Sequence, residues 1–399
     1  MKVEIKKSTP IGKVQIPPSK SIAHRLLICA LLSGGESFIN NISYCDDINA
    51  TINCITALGG AITRKNNGVL INGVQKLNAH GLLKCNESGS TLRFLIPLAL
   101  TCPTPVTFEC SDRLIDRGID IYKDILKDAN FSFDKKLITV SGNIKPGNYT
   151  LVGNVSSQFI SGLLFALPLL NGDSTITVLP PFESQSYVNL TIDTLKTFGV
   201  TVERKENTFY VKGNQTYKPT QTNTEGDWSN GAIFHSLNYL GGNVCIEGLS
   251  NDTLQGDSVC IQLFEMLNNG YAKIDISNCP DLAPILFAFA SIKQGGEFVG
   301  TKRLAIKESN RAVAMQTQLK RFGVNATVTD NSVIIPKSTL LEPNQPLECY
   351  NDHRIAMALA ILCTQTGGVI EGVSAVNKSY PLFFEHLKSI NIQVNEIDG

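Results

Sequence analysis

Six times along the 399-residue chain, a small polar cluster opens a helix-like segment that is apolar on nearly all sides. The clusters recur roughly 50 to 70 residues apart, a spacing longer than that of the common solenoid repeats. They open at Ser21, Ser90, Ser157, Ser229, Asp281 and Asp352. Each apolar segment is followed by a strand-like run, a more amphipathic helix and further strands, which predicts an α/β or α+β fold.

The length and the repeat count together predict two domains of three repeats each. A chain of 399 residues is longer than one ordinary hydrophobic core supports. The segment QTNTEGDWSN, at 221–230, is polar and helix-poor and lies between the third and fourth repeats. It is therefore the expected crossing between the domains.

The repeated openings indicate a preference for anions. A helix that is apolar all round must be buried, whereas its polar opening must meet water or a ligand. A helix N-terminus presents unpaired backbone N–H groups and about half a positive charge. Several such ends facing one cleft would favour anionic small molecules.

Composition argues against several other classes of protein. Lys+Arg and Asp+Glu both number 35 and no basic run occurs, so nucleic acid is not an expected partner. No apolar run approaches the roughly 18 residues of a membrane span, and MKVEIKKSTP is unlike a signal peptide. The five histidines form no zinc-binding pattern. The 11 scattered cysteines are typical of reduced core thiols, which predicts a cytoplasmic protein.

The first opening, in QIPPSKSIAHR, carries cations where a helix normally disfavours them. Lysine and arginine prefer the C-terminal end of a helix. Lys20 and Arg25 near its start therefore indicate an anion that both side chains bind. Ser21 is interpretable as a simple N-cap or as a ligand contact. In GNVSSQF, the side chains of 156–158 add two hydroxyls and an amide, a donor set that suits phosphate.

Other clusters also combine charge with a helix opening or a loop. They are Gly89 in NESGSTLRF, Arg113 and Arg117 in SDRLIDRG, Asp281 in NCPDLAPIL, Lys307, Glu308 and Arg311 in IKESNRAVAM, Arg354 in NDHRIAMALAI and Lys378 in NKSYPLFF. Asp281 is interpretable as an N-cap or as a proton acceptor. Lys307 and Arg311 are four residues apart, which predicts that they share a helix face.

Taken in order, PSKSxxxR, GSTLR, DRLxxR, SSQ, PD, KExxR, NDHR and KSYP resemble the 5-enolpyruvylshikimate-3-phosphate (EPSP) synthase family, from Pro17 to Pro381. The resemblance implies two similar α/β (α+β) domains, each of three βαβαββ units, in the inside-out α/β barrel of enolpyruvyl transferases. The expected domains are 1–15 plus 227–399, and 16–226, with the active site in the cleft between them.

The same resemblance implies the reaction. The family transfers the enolpyruvyl group of phosphoenolpyruvate to the 5-hydroxyl of shikimate 3-phosphate, through a tetrahedral intermediate and with release of phosphate. This step belongs to chorismate and aromatic amino acid biosynthesis. No cofactor or metal is implied, and the expected protein is a monomer that closes its domains around the two substrates.

Site residues follow from the matching motifs. Those expected to bind shikimate 3-phosphate are Lys20, Ser21, Arg25, Ser156, Ser157, Gln158, Ser184, Asp281 and Lys307. Those expected to bind phosphoenolpyruvate are Lys20, Gly89, Arg117, Gln158, Arg311, Arg354 and Lys378. Asp281 is expected to act as base at the hydroxyl, Glu308 as acid and then base at the methylene carbon, and Lys20 as acid at the leaving phosphate.

Two other functions remain open on the sequence. One is the related enolpyruvyl transfer to UDP-N-acetylglucosamine, whose enzymes use a loop cysteine; Cys110 lies in the corresponding region. The other is a non-catalytic anion-binding protein, which would need the cations but not two carboxylates as well.

Overall fold

The computed structural model describes residues 1–397, and its contacts divide the chain into two compact units. A continuous unit comprises Pro18–Glu225, and a split unit joins Met1–Pro17 to the chain from Gly226 onward. The observed division falls after residues 17 and 225, whereas the division predicted from the sequence falls after residues 15 and 226. The split unit receives the first two strands, β1 (Lys2–Ile5) and β2 (Ile11–Gln15).

The continuous unit alternates helices with short strands. In chain order its elements are α1 (Lys20–Leu32), β3 (Glu36–Asn40), α2 (Asp46–Ala57), β4 (Ala61–Lys65), β5 (Gly68–Asn72), β6 (Leu83–Asn86), α3 (Gly89–Ala99), β7 (Val106–Cys110), α4 (Asp112–Asp116), α5 (Asp120–Ile125), β8 (Ala129–Asp134), β9 (Leu137–Gly142), β10 (Asn148–Val152), α6 (Ser157–Ala166), β11 (Ser174–Leu179), α7 (Gln185–Thr197), β12 (Val202–Lys205), β13 (Thr208–Val211) and β14 (Gln221–Asn223).

One sheet pattern occurs three times in this unit. The strand orders are β14-β3-β5-β4, β6-β7-β9-β8 and β10-β11-β13-β12. In each sheet the first pair is parallel and the next two pairs are antiparallel. This repeated topology is the structural counterpart of the sequence repeat.

The apolar helices α1, α3 and α6 form the core of the continuous unit. Their side chains are buried on nearly all faces, as the absence of a polar stripe predicts. Helices α3 and α6 approach closely because Gly162 has no side chain. A Cβ there would collide with the Arg93 carbonyl oxygen and the Tyr122 hydroxyl. The polar openings of these helices are therefore held by a tightly packed core.

The split unit repeats the four-stranded sheet pattern twice, and its third sheet has two strands. Its further elements are α8 (Trp228–Tyr239), β15 (Asn243–Glu247), α9 (Cys260–Asn269), β16 (Ala272–Asp275), α10 (Ala283–Ile292), β17 (Gly296–Val299), α11 (Arg311–Arg321), β18 (Thr327–Val328), β19 (Ser332–Ile335), β20 (Leu347–Glu348), α12 (His353–Thr366), β21 (Gly368–Glu371), α13 (Phe383–Ser389) and β22 (Val394–Ile397). Its sheets have the orders β16-β17-β19-β18, β20-β21-β1-β22 and β15-β2. The buried helices are α8, α10 and α12.

The cysteines pack mainly as core residues. All eleven are free thiols, and Cys245, on β15, is exposed while the other ten are buried. Within residues 1–397, no helix is both long enough and apolar enough to cross a membrane.

Candidate active site

The opening of α1 presents Lys20 beside an aspartate that the sequence analysis did not select. The Lys20 Nζ atom lies 2.8 Å from Oδ2 of Asp47, and the two side chains are 15% and 14% exposed. The N-cap of α1 is Ser19, and the prediction that Ser21 caps this helix is wrong. Ser21 instead lies in the first turn and is partly exposed, where its hydroxyl can meet a ligand.

Arg25 is buried beneath this opening. Its guanidinium donates to Oγ1 of Thr191 at 2.8 Å and to the backbone carbonyls of Ser21 and Tyr187 at 2.5 and 2.8 Å. Burial lowers the pKa of Arg25 to about 10. Arg25 thus ties the first turn of α1 to the first turn of α7.

The opening of α6 places two serine hydroxyls and the amide of Gln158 at the start of a buried helix. Ser156 is the N-cap, and its Oγ accepts the backbone N–H of Gln158 at 3.3 Å. Ser157 begins the helix and is buried, whereas Gln158 is partly exposed. Ser184, the residue before α7, adopts a left-handed conformation with φ of 55°. This backbone geometry is uncommon for a side chain larger than glycine and is found at functional sites.

Arg93, on α3, connects the opening of α6 to the backbone that follows α4. It is 2% exposed, and its Nη1 donates to Oε1 of Gln158 at 2.8 Å. Its Nη2 donates to the carbonyls of Arg117 and Gly118 at 2.9 and 3.1 Å. Gln158 in turn donates to Oγ of Ser90 at 3.0 Å. A single buried guanidinium therefore orients the backbone of Arg117 and the amide of Gln158.

Gly89, the first residue of α3, contacts the guanidinium of Arg117. A Cβ on Gly89 would lie 2.9 Å from Nη2 of Arg117, so the guanidinium rests directly against the glycine. The N-cap Ser88 accepts the backbone N–H of Thr91. The structure thus brings Gly89, Arg117 and Gln158 together through Arg93, which was not among the expected site residues.

In the split unit, three carboxylates surround the guanidinium of Arg311. Nη1 donates to Oδ1 of Asp281 at 2.8 Å, Nη2 to Oε2 of Glu308 at 2.9 Å and Nε to Oδ2 of Asp352 at 2.9 Å. The Arg311 side chain is 1% exposed and Asp352 is fully buried, whereas Asp281 is 23% and Glu308 17% exposed. Burial alone would lower the pKa of Arg311, but the three carboxylates raise it well above its usual range.

The predicted pair Lys307 and Arg311 does not share a helix face. A short 3₁₀ helix, Lys302–Ile306, ends just before Lys307, and α11 begins only at Arg311 with Asn310 as its N-cap. Lys307 instead reaches Asp281, with 3.2 Å between Nζ and Oδ1. Burial lowers the pKa of Lys307 in spite of this neighbour.

Asp281 is held as a carboxylate. It lies in a short 3₁₀ turn, Pro280–Leu282, and not at an N-cap that its side chain satisfies. Burial alone would raise its pKa, but the charges of Lys307, Arg311 and Arg354 outweigh burial and hold the pKa well below its usual range. The interpretation of Asp281 as a helix cap is therefore wrong, and its role as a proton acceptor stays a prediction.

The opening of α12 positions Arg354. Asp352 is the N-cap and accepts the backbone N–H of Arg354 at 2.9 Å. The Arg354 guanidinium donates to Oγ of Ser229 at 2.5 Å and to Oδ1 of Asn230 at 3.1 Å, both in the first turn of α8. Its Nη2 also lies 4.0 Å from Oδ2 of Asp281. Lys378 is buried and donates to the carbonyl of Asn351, the residue before this N-cap, at 2.5 Å.

Several residues that organise these openings were given no site role from the sequence, although Ser229 and Asp352 were recognised as openings. They are Asp47, Arg93, Ser229, Asn230 and Asp352. Asp352 and Arg93 had a usable signal, because a charged residue at the start of an otherwise apolar helix needs a buried partner. Cys110, the candidate loop cysteine of the UDP-N-acetylglucosamine alternative, is the last residue of β7 and is buried.

The repeated mixed sheets, with charged and hydroxyl side chains at the openings of buried helices, define a protein of the enolpyruvyl transferase fold class. Residues 5–387 match the family model of EPSP synthase (3-phosphoshikimate 1-carboxyvinyltransferase). The chain is 42% identical to the 3-phosphoshikimate 1-carboxyvinyltransferase of Clostridium kluyveri, and 38% identical to that of Clostridioides difficile. Each alignment covers 96% of this chain and 96% of the relative.

A solved structure of EPSP synthase from Acinetobacter baumannii has the same fold. It superposes with a TM-score of 0.79 at 21% identity, over 99% of this chain and 100% of that chain. The chain belongs to the EPSP synthase family, and the resemblance seen in the sequence is confirmed.

Proposed function

We propose that the helix openings of the continuous unit bind shikimate 3-phosphate and part of phosphoenolpyruvate, and that the Arg311 cluster of the split unit carries the proton transfers. As a member of the family, the chain transfers the enolpyruvyl group of phosphoenolpyruvate to the 5-hydroxyl of shikimate 3-phosphate and releases phosphate. Ser156, Ser157 and Ser184 are assigned to the 3-phosphate, and Lys20, Ser21 and Arg25 to the same substrate.

The observation that carries the catalytic assignment is the sharing of one guanidinium by Asp281 and Glu308. The addition step removes a proton from the 5-hydroxyl and places one on the methylene carbon, and elimination of phosphate takes the carbon proton back. Two carboxylates, one for each proton, meet this requirement. The two terminal nitrogens of Arg311 hold these carboxylates at 2.8 and 2.9 Å, which fixes the carboxylates relative to each other.

Asp281 needs a change in its surroundings to act as a base. Its neighbouring cations hold its pKa well below the usual range, which makes it a weak proton acceptor. Arg311 and Arg354 are also assigned to phosphoenolpyruvate. When that anion recruits them, Asp281 loses part of their stabilisation and its basicity increases. Binding of phosphoenolpyruvate would thereby make Asp281 a stronger proton acceptor.

Glu308 is assigned as acid and then base at the methylene carbon, and Lys20 as the acid at the leaving phosphate. The Lys20 ammonium is preorganised by Asp47 at 2.8 Å. The cations assigned to phosphoenolpyruvate are Lys20 and Arg117 in one unit and Arg311, Arg354 and Lys378 in the other. These cations offset the repulsion between the two anionic substrates.

The decisive experiment mixes the purified chain with shikimate 3-phosphate and phosphoenolpyruvate and measures phosphate release. Release with shikimate 3-phosphate supports the assignment, whereas release only with UDP-N-acetylglucosamine would assign the related reaction instead. Binding of both anions without release would leave an anion-binding protein.

Glu308→Gln tests the catalytic role within this reaction. Removing a general acid–base group is expected to lower kcat by roughly 100- to 10,000-fold. Glu297→Gln, which alters an exposed ion pair with Lys273 in the same unit, is the matched control. Unchanged turnover in Glu308→Gln would exclude Glu308 from proton transfer. A monomeric state and a cytoplasmic location stay predictions, to be checked by light scattering and by fractionation of cells.

A further inference from the structure

Helix α1 contains a buried histidine that the proposed reaction does not use. His24 lies one turn after Lys20, and its side chain is fully buried. Its Nδ1 atom lies 2.7 Å from Oγ1 of Thr51 on α2. Burial, with the neighbouring charges of Lys20 and Arg25, holds the pKa of the imidazole well below its usual range. His24 is therefore neutral, and one of its two nitrogens carries a proton.

The Thr51 hydroxyl extends this contact to a third helix. Its Oγ1 lies 2.7 Å from Oγ1 of Thr91 on α3. Thr91 donates its hydroxyl proton to Oγ of Ser88 at 2.7 Å, and Ser88 also accepts the Thr91 backbone N–H at 3.3 Å. All four side chains are at most 1% exposed. This hydroxyl chain, defined by His24, Thr51, Thr91 and Ser88, runs from α1 to the N-cap of α3.

The number of available protons sets the direction of donation along the hydroxyl chain. Each hydroxyl has a single proton to donate. Because Thr91 gives its proton to Ser88, Thr51 must donate to Thr91. The Thr51 proton is then used, so Nδ1 of His24 must donate to Thr51. His24 is thus the Nδ1–H tautomer, and its Nε2 has no hydrogen-bond partner among residues 1–397.

We propose that His24 is a positioning residue for phosphoenolpyruvate binding. Its Nδ1–H orders the hydroxyl chain so that the Ser88 oxygen caps α3 and fixes the first turn of that helix, where Gly89 lies. Without the Nδ1–H donor of His24, the Thr51 hydroxyl is free to rotate. The Ser88 side chain that caps α3 then loses its fixed orientation. The inference rests on the proposed assignment of Gly89 to phosphoenolpyruvate.

Thr51→Val tests the chain with little change in shape, because valine replaces the hydroxyl by a methyl group. We expect the KM for phosphoenolpyruvate to rise by roughly 3- to 10-fold, the range for loss of one net hydrogen bond, with the KM for shikimate 3-phosphate unchanged. Thr51→Ser keeps a hydroxyl and should restore the wild-type value. Thr194→Val is the matched control, because it deletes a buried hydroxyl that bonds only to the Leu190 carbonyl of its own helix.

His24→Asn and His24→Leu test the donor at the start of the hydroxyl chain. The asparagine amide nitrogen occupies the place of Nδ1 and can donate the same bond, so His24→Asn should keep the KM for phosphoenolpyruvate. His24→Leu should raise it as Thr51→Val does, and Thr51→Val carries the test if the leucine variant does not fold. Nitrogen NMR of labelled histidine should show a protonated Nδ1 on a neutral ring. The opposite tautomer would overturn the inference.

Two further outcomes separate this inference from the proposed function. If Gly89→Ala raises the KM for phosphoenolpyruvate while Thr51→Val leaves it unchanged, the positioning role is wrong and the proposed site stands. If Gly89→Ala has no effect on that KM, the assignment of phosphoenolpyruvate to the α3 opening is itself wrong. Equal rises in both KM values for Thr51→Val would show general loss of structure and would also overturn the positioning role.

Discussion

The guanidinium of Arg117 rests against Gly89 so closely that a Cβ at this glycine would lie 2.9 Å from Nη2. The atom in the way is the far end of a flexible side chain and not backbone. A small side chain at position 89 would therefore displace the cation without breaking the fold.

Gly89→Ala should raise the KM for phosphoenolpyruvate by about 10-fold, since losing one charge-assisted contact costs about 1.5 kcal/mol or more. The KM for shikimate 3-phosphate should change little, because the serines assigned to it lie on other openings. Steady-state kinetics in both substrates checks this expectation. Gly270→Ala is the matched control, because a Cβ there would meet nothing within 4 Å. A selective rise in the KM for shikimate 3-phosphate would contradict the assignment.

Arg93→Lys should impair both substrates. Lysine keeps the charge, but it cannot donate to Gln158 and to the two carbonyls of 117–118 in one fixed fork. Losing bonds from a charged donor predicts a decrease in kcat/KM of roughly 10- to 100-fold. Arg64→Lys, at an exposed arginine that bonds Asn49, provides the comparison. Wild-type kinetics in Arg93→Lys would show that Gln158 does not need this donor.

Asp352→Asn should destabilise the split unit. Asparagine still accepts at the N-cap, but it removes one of the three negative charges around the buried Arg311. Breaking a buried ion pair on one side costs about 3 kcal/mol or more. Urea unfolding measures this difference, with Asp330→Asn at an exposed pair with Lys302 as the control. Equal stability of the two variants would mean that Asp281 and Glu308 alone satisfy Arg311.

His24 makes stability depend on pH. Because its pKa is lowered in the folded chain, the unfolded chain binds more protons below about pH 6.5, the ordinary histidine value. The stabilisation is therefore present above that pH and lost as the pH falls. In His24→Asn this loss is removed, so the stability of wild type relative to the variant should fall by up to about 1.4 kcal/mol per pH unit below 6.5. Urea unfolding of both proteins at several pH values measures this difference. Parallel curves would show that His24 titrates normally.

Local sequence patterns predicted the helix openings well and their internal geometry less well. The six polar clusters do begin buried helices or the short turns before them, because a helix that is apolar all round can expose only its ends. The cap of α1 is Ser19 and not Ser21, and α11 begins at Arg311 and not before Lys307. Such boundaries depend on one or two residues whose conformation is decided by what packs against them.

The repeat, the burial of the first helix of each repeat and the family can be predicted from the amino-acid sequence, because periodicity and motif order are properties of the chain alone. Which distant charges meet depends on how the elements pack. Asp281 and Asp352 are 30 and 41 residues from Arg311 in the chain, and packing brings both to its guanidinium, whereas Glu308 is a local partner three residues away. The hydroxyl chain from His24 to Ser88 has the same origin, since it depends on α1, α2 and α3 packing at one fixed register. Contacts between elements arise from how their surfaces fit together, and no local pattern in the chain encodes that fit.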